Sequence, residues 1–255
     1  MSLDWTKRTI YGKLGKVGVA TIAGGDIAIA DFHRNLHPDI CVSDIPVPME
    51  RLTPEALKKL GDGVVDAMHV FRDYNPVDLA FFSCTAGSLI GGKGYDARLC
   101  QLLKEHSGAP CAYTTTTAVL KALRTLGSKK ITICTPYPDD VNTKERDFFA
   151  GEGFVVNNIN GIVTKDPRNQ GLIGKIEPEE IYKFAVEHMH PDSDTMFVSC
   201  TGLTMFDIIE DLEKRLGVPV ITSNQTAAWL IGCHFGTHGP KAEHLGELFN
   251  RKPLD

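Results

Sequence analysis

The sequence Phe82-Ser83-Cys84-Thr85-Ala86-Gly87 follows a short apolar run, and Val198-Ser199-Cys200-Thr201-Gly202-Leu203 follows another. A helix-length segment comes after each stretch, and then a strand that is led by a proline, Pro110 or Pro219. Each of these strands runs into a Thr-Ala helix start, at 117–118 and 226–227. The same order of elements occurs twice, which indicates two similar halves.

Short apolar runs and helix-length segments alternate along the rest of the chain. We predict strands at 16–22, 79–82, 110–113, 130–134, 154–158, 195–198 and 218–222. We predict helices at 54–74, 95–106, 117–126, 139–151, 178–189, 204–216 and 226–233. This alternation predicts an α/β fold of parallel sheets with helices on both faces.

Together with the repeated motif, the alternation predicts two Rossmann-like domains related by a pseudo-twofold axis. We place the first domain at 1–117 plus 226–255 and the second at 118–225. In such folds, ligands bind beyond the carboxyl ends of the strands. We therefore expect each half to contribute one Ser-Cys-Thr motif to a cleft between the domains.

The composition excludes several classes of protein. The 255 residues carry a formal net charge of −5 and no long basic run, which argues against nucleic-acid binding. No stretch approaches the roughly 18 apolar residues of a membrane span. The seven cysteines form no CxxC pair, so we expect reduced thiols, a cytoplasmic location and no bound zinc.

Cys84 and Cys200 are the residues most suited to chemistry. A free cysteine is usually a small apolar core residue, and we interpret Cys41, Cys100, Cys111 and Cys233 in that way. At a strand end before a helix, by contrast, backbone N–H groups and the helix dipole favour an anion. We expect this setting to increase the thiolate fraction of Cys84 and Cys200.

The two cysteine motifs, 116 residues apart (200 − 84), resemble those of the aspartate/glutamate racemase superfamily. Within it, the chain is most similar to the branch of the maleate isomerases and arylmalonate decarboxylases. The same branch is indicated by Tyr137-Pro138-Asp139-Asp140-Val141-Asn142 and by the segments 117–123 and 215–220. The resemblance covers about 15–232, nearly the whole chain.

The resemblance implies two facing cysteines, Cys84 and Cys200, that work without a metal or an organic cofactor. It places a carboxylate pocket at Thr85, Tyr137, Thr201 and Gly202, with further substrate contacts at Ala23, Asn142 and Asn169. Gln170 is an alternative to Asn169. Decarboxylases of this branch have glycine in place of the first cysteine, and maleate isomerases have asparagine where this chain has Ala23.

Three functions stay open at this point. The first is a cofactor-independent isomerase or racemase that uses both cysteines on a small carboxylate or dicarboxylate. The second is an arylmalonate-type decarboxylase with Cys200 as proton donor, against which the presence of Cys84 counts. The third is a non-catalytic carboxylate-binding protein. In each case we expect a small-molecule partner, no nucleic acid, no membrane and a homodimer.

Overall fold

The computed structural model describes residues 11–237 and 245–254. In this part of the chain, eight parallel strands form two sheets of four. The first sheet contains β1 Gly15–Ile22, β2 Ile40–Val47, β3 Leu79–Ser83 and β4 Cys111–Thr114, in the order β2-β1-β3-β4. The second contains β5 Lys130–Thr135, β6 Val155–Gly161, β7 Thr195–Val198 and β8 Val220–Thr222, in the order β6-β5-β7-β8.

The two sheets have the same topology. In each sheet, the first strand along the chain pairs with the second strand, which forms the edge, and with the third strand on its other side; the fourth strand then pairs with the third. This confirms the prediction of two similar parallel-sheet halves. The strands β3, β7 and β8 are buried along their whole length, as expected for sheets covered on both faces. The proposed domain boundaries, including the return of 226–255 to the first half, stay a prediction.

Eleven α-helices connect and cover the strands in the described residues. They are α1 Asp26–Asn35, α2 Pro54–Ala67, α3 His69–Asp73, α4 Thr85–Leu89, α5 Tyr95–Ser107, α6 Thr115–Leu126, α7 Asp139–Gly151, α8 Gln170–Ile173, α9 Pro178–His188, α10 Ile209–Leu216 and α11 Ser223–His234. Short 3-10 helices cover Phe206–Ile208 and Glu247–Asn250. No helix of this part of the chain is long and apolar enough to span a membrane.

In each sheet the last strand is followed directly by a helix, and a capping box begins both helices. Thr114 caps α6 by accepting a hydrogen bond from the Thr117 backbone, and the Thr117 side chain bonds back to the Thr114 backbone. Thr222 and Gln225 form the equivalent capping box at the start of α11. A cap of this kind stabilises a helix by about 1 kcal/mol. The two proline-led strands, each followed by a Thr-Ala helix start, therefore form matching strand-to-helix turns.

Several elements were missing from the sequence prediction, including β2, α1 and the short helices α4 and α8. The strand β2 contains Asp44 and Pro46 and lacks a clear apolar alternation, but it is an edge strand, where proline is tolerated. The helix α1 begins after a glycine pair and has a mixed sequence, DIAIADFHRN. The predicted helix over 54–74 is divided at Met68 into α2 and α3.

Candidate active site

The segments at the carboxyl ends of strands from both sheets line one pocket. Its volume is about 550 Å³, part of which is open to solvent. Residues from both halves line it, namely Ile22, Gly24, Gly25, Ile27, Leu52, Leu57, Cys84, Ala86, Tyr137, Gln170, Ile173, Gly174, Cys200, Thr201 and Gly202. The two sheets contribute in parallel, because the segments after β1, β2 and β3 and those after β5, β6 and β7 all reach it.

Cys84 stands at the junction between β3 and α4. It is the N-cap residue of α4, and its Sγ accepts a hydrogen bond from the Gly87 backbone N–H at 3.3 Å. Glycine suits position 87, because a Cβ there would lie 3.0 Å from Sγ and 3.0 Å from the Phe82 ring, so both side chains would have to shift. The side chain is 3% exposed. The thiol is thus held at the floor of the pocket.

Cys200 has an unusual backbone conformation. With a φ of +151°, it is the only non-glycine residue in the described part of the chain that has a positive φ. Such a conformation costs on the order of 1–3 kcal/mol and needs support from its surroundings. The Cys200 backbone N–H donates to Ser223 Oγ at 2.9 Å, and Sγ accepts from the Gly202 N–H at 3.3 Å. Each catalytic candidate therefore has one backbone N–H on its sulfur.

Burial decides the protonation of both thiols. It raises the pKa of Cys84 to about 12, although the Gly87 N–H acts in the opposite direction. It raises the pKa of Cys200 to about 11, opposed by the Gly202 N–H and by a hydrogen bond from Tyr137. The expectation of an increased thiolate fraction is therefore wrong for the ligand-free protein, because the loss of solvation outweighs the backbone donors.

Tyr137 reaches the pocket from the turn between β5 and α7. Its hydroxyl hydrogen bonds to Cys200, and burial raises its pKa well above the ordinary value. The side chain of Asn142 fixes this turn by donating to the Tyr137 carbonyl at 3.0 Å and accepting from the Thr135 hydroxyl at 2.6 Å. Gly161 lets the turn approach β6, since a Cβ there would lie 2.4 Å from the Tyr137 carbonyl oxygen.

The structure brings some of the predicted site residues together and separates others. The pocket is lined by Cys84, Cys200, Tyr137, Thr201 and Gly202. Thr85 lies directly below, buried, with its hydroxyl 2.7 Å from that of Ser223.

The other three predicted contacts lie outside the lining. Ala23 is exposed, and its backbone N–H bonds to Val47. Asn142 uses its amide on the Tyr137 turn. Asn169 caps α8, and its neighbour Gln170 is the residue that faces the pocket.

Sequence reasoning missed most of the apolar lining and two buried polar residues. The side chains of Leu52, Leu57 and Ile173 come from segments after the edge strands β2 and β6. Ser223 lies between the Pro219-led strand and the helix start at 226–227, but the sequence analysis assigned it no role. Glu145 is buried behind the site, although a glutamate within an amphipathic helix usually faces solvent.

Metal ligands are not assembled in the described residues. No group of three or more histidine, cysteine, aspartate or glutamate side chains there could hold a metal ion. The polar groups at the pocket are thiols, hydroxyls and amides. They can accept and donate protons and bind an anion.

Comparison with known proteins shows which family the chain is similar to. Residues 23–249 match the family model described as arylmalonate decarboxylase. The arylmalonate decarboxylase of Bordetella bronchiseptica is 29% identical over 220 residues, which are 84% of this chain and 87% of that protein. The maleate isomerase of Geobacillus stearothermophilus is 24% identical over 204 residues, which are 77% of this chain and 80% of that protein. These matches confirm the resemblance drawn from the cysteine motifs.

Two solved structures have a similar fold. One is a double mutant of arylmalonate decarboxylase in its liganded form, with a glycine changed to cysteine and a cysteine changed to serine. It is 28% identical, with a TM-score of 0.79, and the match covers 92% of this chain and 98% of that one. The other is a mutant of the maleate cis-trans isomerase of Nocardia farcinica with a covalently bound succinylcysteine intermediate. It is 18% identical, with a TM-score of 0.82, and the match covers 92% and 97% of the two chains.

Proposed function

We propose a reaction for this chain from one premise: it belongs to the arylmalonate decarboxylase family, whose model it matches over residues 23–249. The proposed activity is that of an isomerase or racemase that uses Cys84 and Cys200 on a small carboxylate, without a cofactor. One observation carries it. Both thiols line the same pocket, each from the end of the equivalent strand of its own sheet.

The substrate carboxylate binds, in this proposal, between Tyr137 and the segment Cys200–Gly202, all of which line the pocket. The Tyr137 hydroxyl is a buried donor beside Cys200. Hydrogen bonds to a charged group contribute about 1.5–3 kcal/mol. These donors would hold the carboxylate next to both sulfur atoms and stabilise negative charge that develops on it during the reaction.

The rest of the pocket accepts an apolar group. Ile22, Ile27, Leu52, Leu57 and Ile173 line it, and none of the described lining residues is charged. A second carboxylate in these surroundings would lose its hydration without gaining an ionic partner. The lining therefore supports a substrate with one bound carboxylate and an apolar substituent better than it supports maleate.

The racemase form of the reaction fits this substrate. One cysteine, as thiolate, removes the α-proton, and the electrons of the C–H bond move into the carboxylate to give an enediolate. The second cysteine, as thiol, returns a proton to the opposite face of the α-carbon. The thiol and thiolate have then exchanged roles. Both thiols are protonated in the ligand-free protein, so one must ionise before turnover.

A cis-trans isomerase form uses the same two groups. The thiolate of Cys84 adds to one alkene carbon, and the thiol of Cys200 protonates the neighbouring carbon. The central bond rotates, and elimination of the thiolate, with loss of the added proton to Cys200, gives the trans isomer. A covalently bound succinylcysteine is described for the isomerase of Nocardia farcinica.

Decarboxylation is the second candidate function. The 29% identical relative is an arylmalonate decarboxylase, and an apolar subsite favours loss of a carboxylate as neutral CO₂. The C–C bond electrons would remain on the α-carbon as an enediolate, which Cys200 protonates. This reaction needs one cysteine, and Cys84 is then unexplained.

A single assay separates these reactions. The protein is incubated in deuterium oxide with phenylmalonate, 2-phenylpropionate, maleate, aspartate or glutamate, and the products are followed by NMR. α-Deuterium exchange with racemisation supports the racemase form, whereas fumarate from maleate supports the isomerase form. CO₂ release from phenylmalonate would replace both by the decarboxylase, and no reaction with any of these compounds would contradict the proposal.

A further inference from the structure

Glu145 is a fully buried acid on the inner face of α7. Its exposure is 0%, and neither carboxyl oxygen forms a hydrogen bond of ordinary geometry with another described residue. The Ser199 hydroxyl, next to Cys200, lies close enough to lower the pKa of Glu145, yet it too lacks a hydrogen bond of ordinary geometry. A buried carboxyl group without a full set of partners is costly, and it needs an explanation.

The carboxyl group lies close to the candidate active site, beside Ser199, which directly precedes Cys200. A negative charge on Glu145 raises the pKa of Cys84, of Cys200 and of Tyr137. Asn142, one turn earlier on the same face of α7, holds the Tyr137 turn, and α7 packs against α4, which begins after Cys84. Cys84, Cys200 and Tyr137 are therefore the titratable groups that face Glu145 from the surrounding elements.

The remaining charged residues of α7 point away from the site. Asp139, Asp140, Lys144, Arg146 and Asp147 are all exposed. Cys134, buried on β5, has its pKa raised by burial alone. Among the described groups, no cation contributes to the shift of Glu145, since burial is the main cause and Ser199 opposes it. An ionised Glu145 would be a negative charge without an ionic partner.

Burial raises the pKa of Glu145 from 4.5 to about 8. The carboxyl group is therefore mainly neutral at pH 7, and it ionises close to the physiological range. The candidate pocket must accept the negative charge of a carboxylate and, in turn, of a thiolate. A third negative charge in the same poorly solvated volume would oppose both.

We propose that Glu145 controls anion binding in this pocket: its neutral form permits a carboxylate to bind beside the two cysteines, and its ionised form opposes that binding. The proposal rests on the proposed function and deepens it. Glu145 does not contact the substrate in this account. It acts through the charge that it adds to the site, and so it is distinct from the residues that transfer protons.

The direction of the pH dependence follows from the protonation state that binds. The fraction of molecules with a neutral Glu145, which can bind the carboxylate, is nearly complete at pH 7 and is lost as the pH rises through about 8. At pH 9 about a tenth of the molecules are competent, so the apparent Kd should rise about tenfold between pH 7 and pH 9. By linkage, binding at pH 9 should take up about one proton for each carboxylate bound.

The test uses phenylacetate, a carboxylate with an apolar substituent, and isothermal titration calorimetry of the full chain at pH 6.5, 7, 8 and 9. The wild type should show the roughly tenfold loss of affinity, and Glu145→Gln should stay within about twofold over the same range. Asp31→Asn is the matched control. Asp31 is a buried acid on α1 whose pKa is raised to about 6, so this variant should keep the wild-type loss above pH 7.

A second measurement needs no variant. Titrations of the wild type at pH 9 in buffers of different ionisation enthalpy report the protons taken up on binding. Absence of proton uptake at pH 9, or an unchanged loss of affinity in folded Glu145→Gln, would overturn the role of Glu145 and leave the proposed function standing. If neither phenylacetate nor any compound of the NMR panel binds at any pH, the proposed function fails and this inference fails with it.

Discussion

The hydroxyl of Ser223 lies 2.7 Å from the hydroxyl of Thr85, and so the two cysteine motifs are joined below the pocket. Ser223 is the first residue of α11, and it also accepts the backbone N–H of Cys200 at 2.9 Å. Thr85 is the first residue of α4, directly after Cys84. One serine therefore sets the position of one motif relative to the other.

Ser223→Ala should weaken both stability and turnover. It removes the acceptor for the Cys200 N–H, which supports the positive φ of that residue, and leaves Thr85 without its partner. Loss of a buried hydrogen-bond partner costs about 1–3 kcal/mol. A displacement of the sulfur should lower kcat by about 10–100-fold. Urea unfolding and steady-state kinetics on the substrate found in the NMR panel measure the two effects.

Ser128→Ala is the matched control for this variant. Ser128 and Thr195 form a similar buried hydroxyl pair at 2.6 Å, among residues that do not line the pocket. The control should lose comparable stability and keep its kcat. Equal kinetic losses in the two variants would mean that Ser223 acts only through general stability.

Tyr137→Phe should lose about 1.5–3 kcal/mol of transition-state stabilisation, which is roughly a 10–150-fold decrease in kcat/KM. The hydroxyl is buried beside Cys200, and we propose that it also holds the substrate carboxylate. Tyr74→Phe is the control, because Tyr74 is 80% exposed and outside the pocket. Kinetics of Tyr137→Phe that match this control would leave Tyr137 with a packing role only.

The sequence predicts the position of both cysteines because the repeated motif fixes them relative to two strand ends. Parallel strands of one sheet end at the same edge, so a motif directly after a strand reaches the ligand side. Tyr137 follows β5 in the same way. The predicted fold and the two cysteine segments could therefore be derived from the residues before the structure, whereas Tyr137 was predicted through the family resemblance.

The rest depends on tertiary contacts that leave little local signal. Leu57 and Ile173 come from helices after the edge strands, and β2 was not recognised because of its proline. The positive φ of Cys200 is a conformation that the residue type does not suggest, since it depends on Ser223, 23 residues later. Glu145 lies one turn after Asn142, on a face that only the packing of α7 defines as buried.

The pH dependence of stability should change in Glu145→Gln. The carboxyl ionises near pH 4.5 in an unfolded chain and near pH 8 in the folded protein, so between these values the folded state binds more protons. The free energy of unfolding therefore falls as the pH rises through this window, by up to about 1.4 kcal/mol per pH unit. The fall is complete above pH 8, and it is absent below 4.5.

Urea unfolding of the wild type and Glu145→Gln at pH 5, 6.5 and 8 measures this difference. The variant should gain stability relative to the wild type at each step. Asp31→Asn should gain only up to about pH 6, where the Asp31 carboxyl ionises in the folded state. Parallel pH profiles of Glu145→Gln and wild type between pH 6.5 and 8 would contradict the raised pKa.

The proposed reaction requires both thiols. Cys84→Ser and Cys200→Ser should each lower turnover at least about a hundredfold, because a positioned acid or base contributes about 10²–10⁴ in rate and serine is a far weaker acid than cysteine. Cys41→Ser, a half-buried cysteine on β2, is the control and should keep its activity. Since Cys84 and Cys200 act as a unit, the double mutant should be little worse than the poorer single mutant.

The pattern of residual activity assigns the reaction. In the racemase form, Cys84→Ser and Cys200→Ser should each still exchange the α-proton of one enantiomer with deuterium, and the two variants should prefer opposite enantiomers. In the isomerase form, neither variant should exchange an α-proton or convert maleate. Full activity of Cys84→Ser together with an inactive Cys200→Ser would instead mean that a single cysteine protonates a carbanion, and the decarboxylase would replace both two-cysteine reactions.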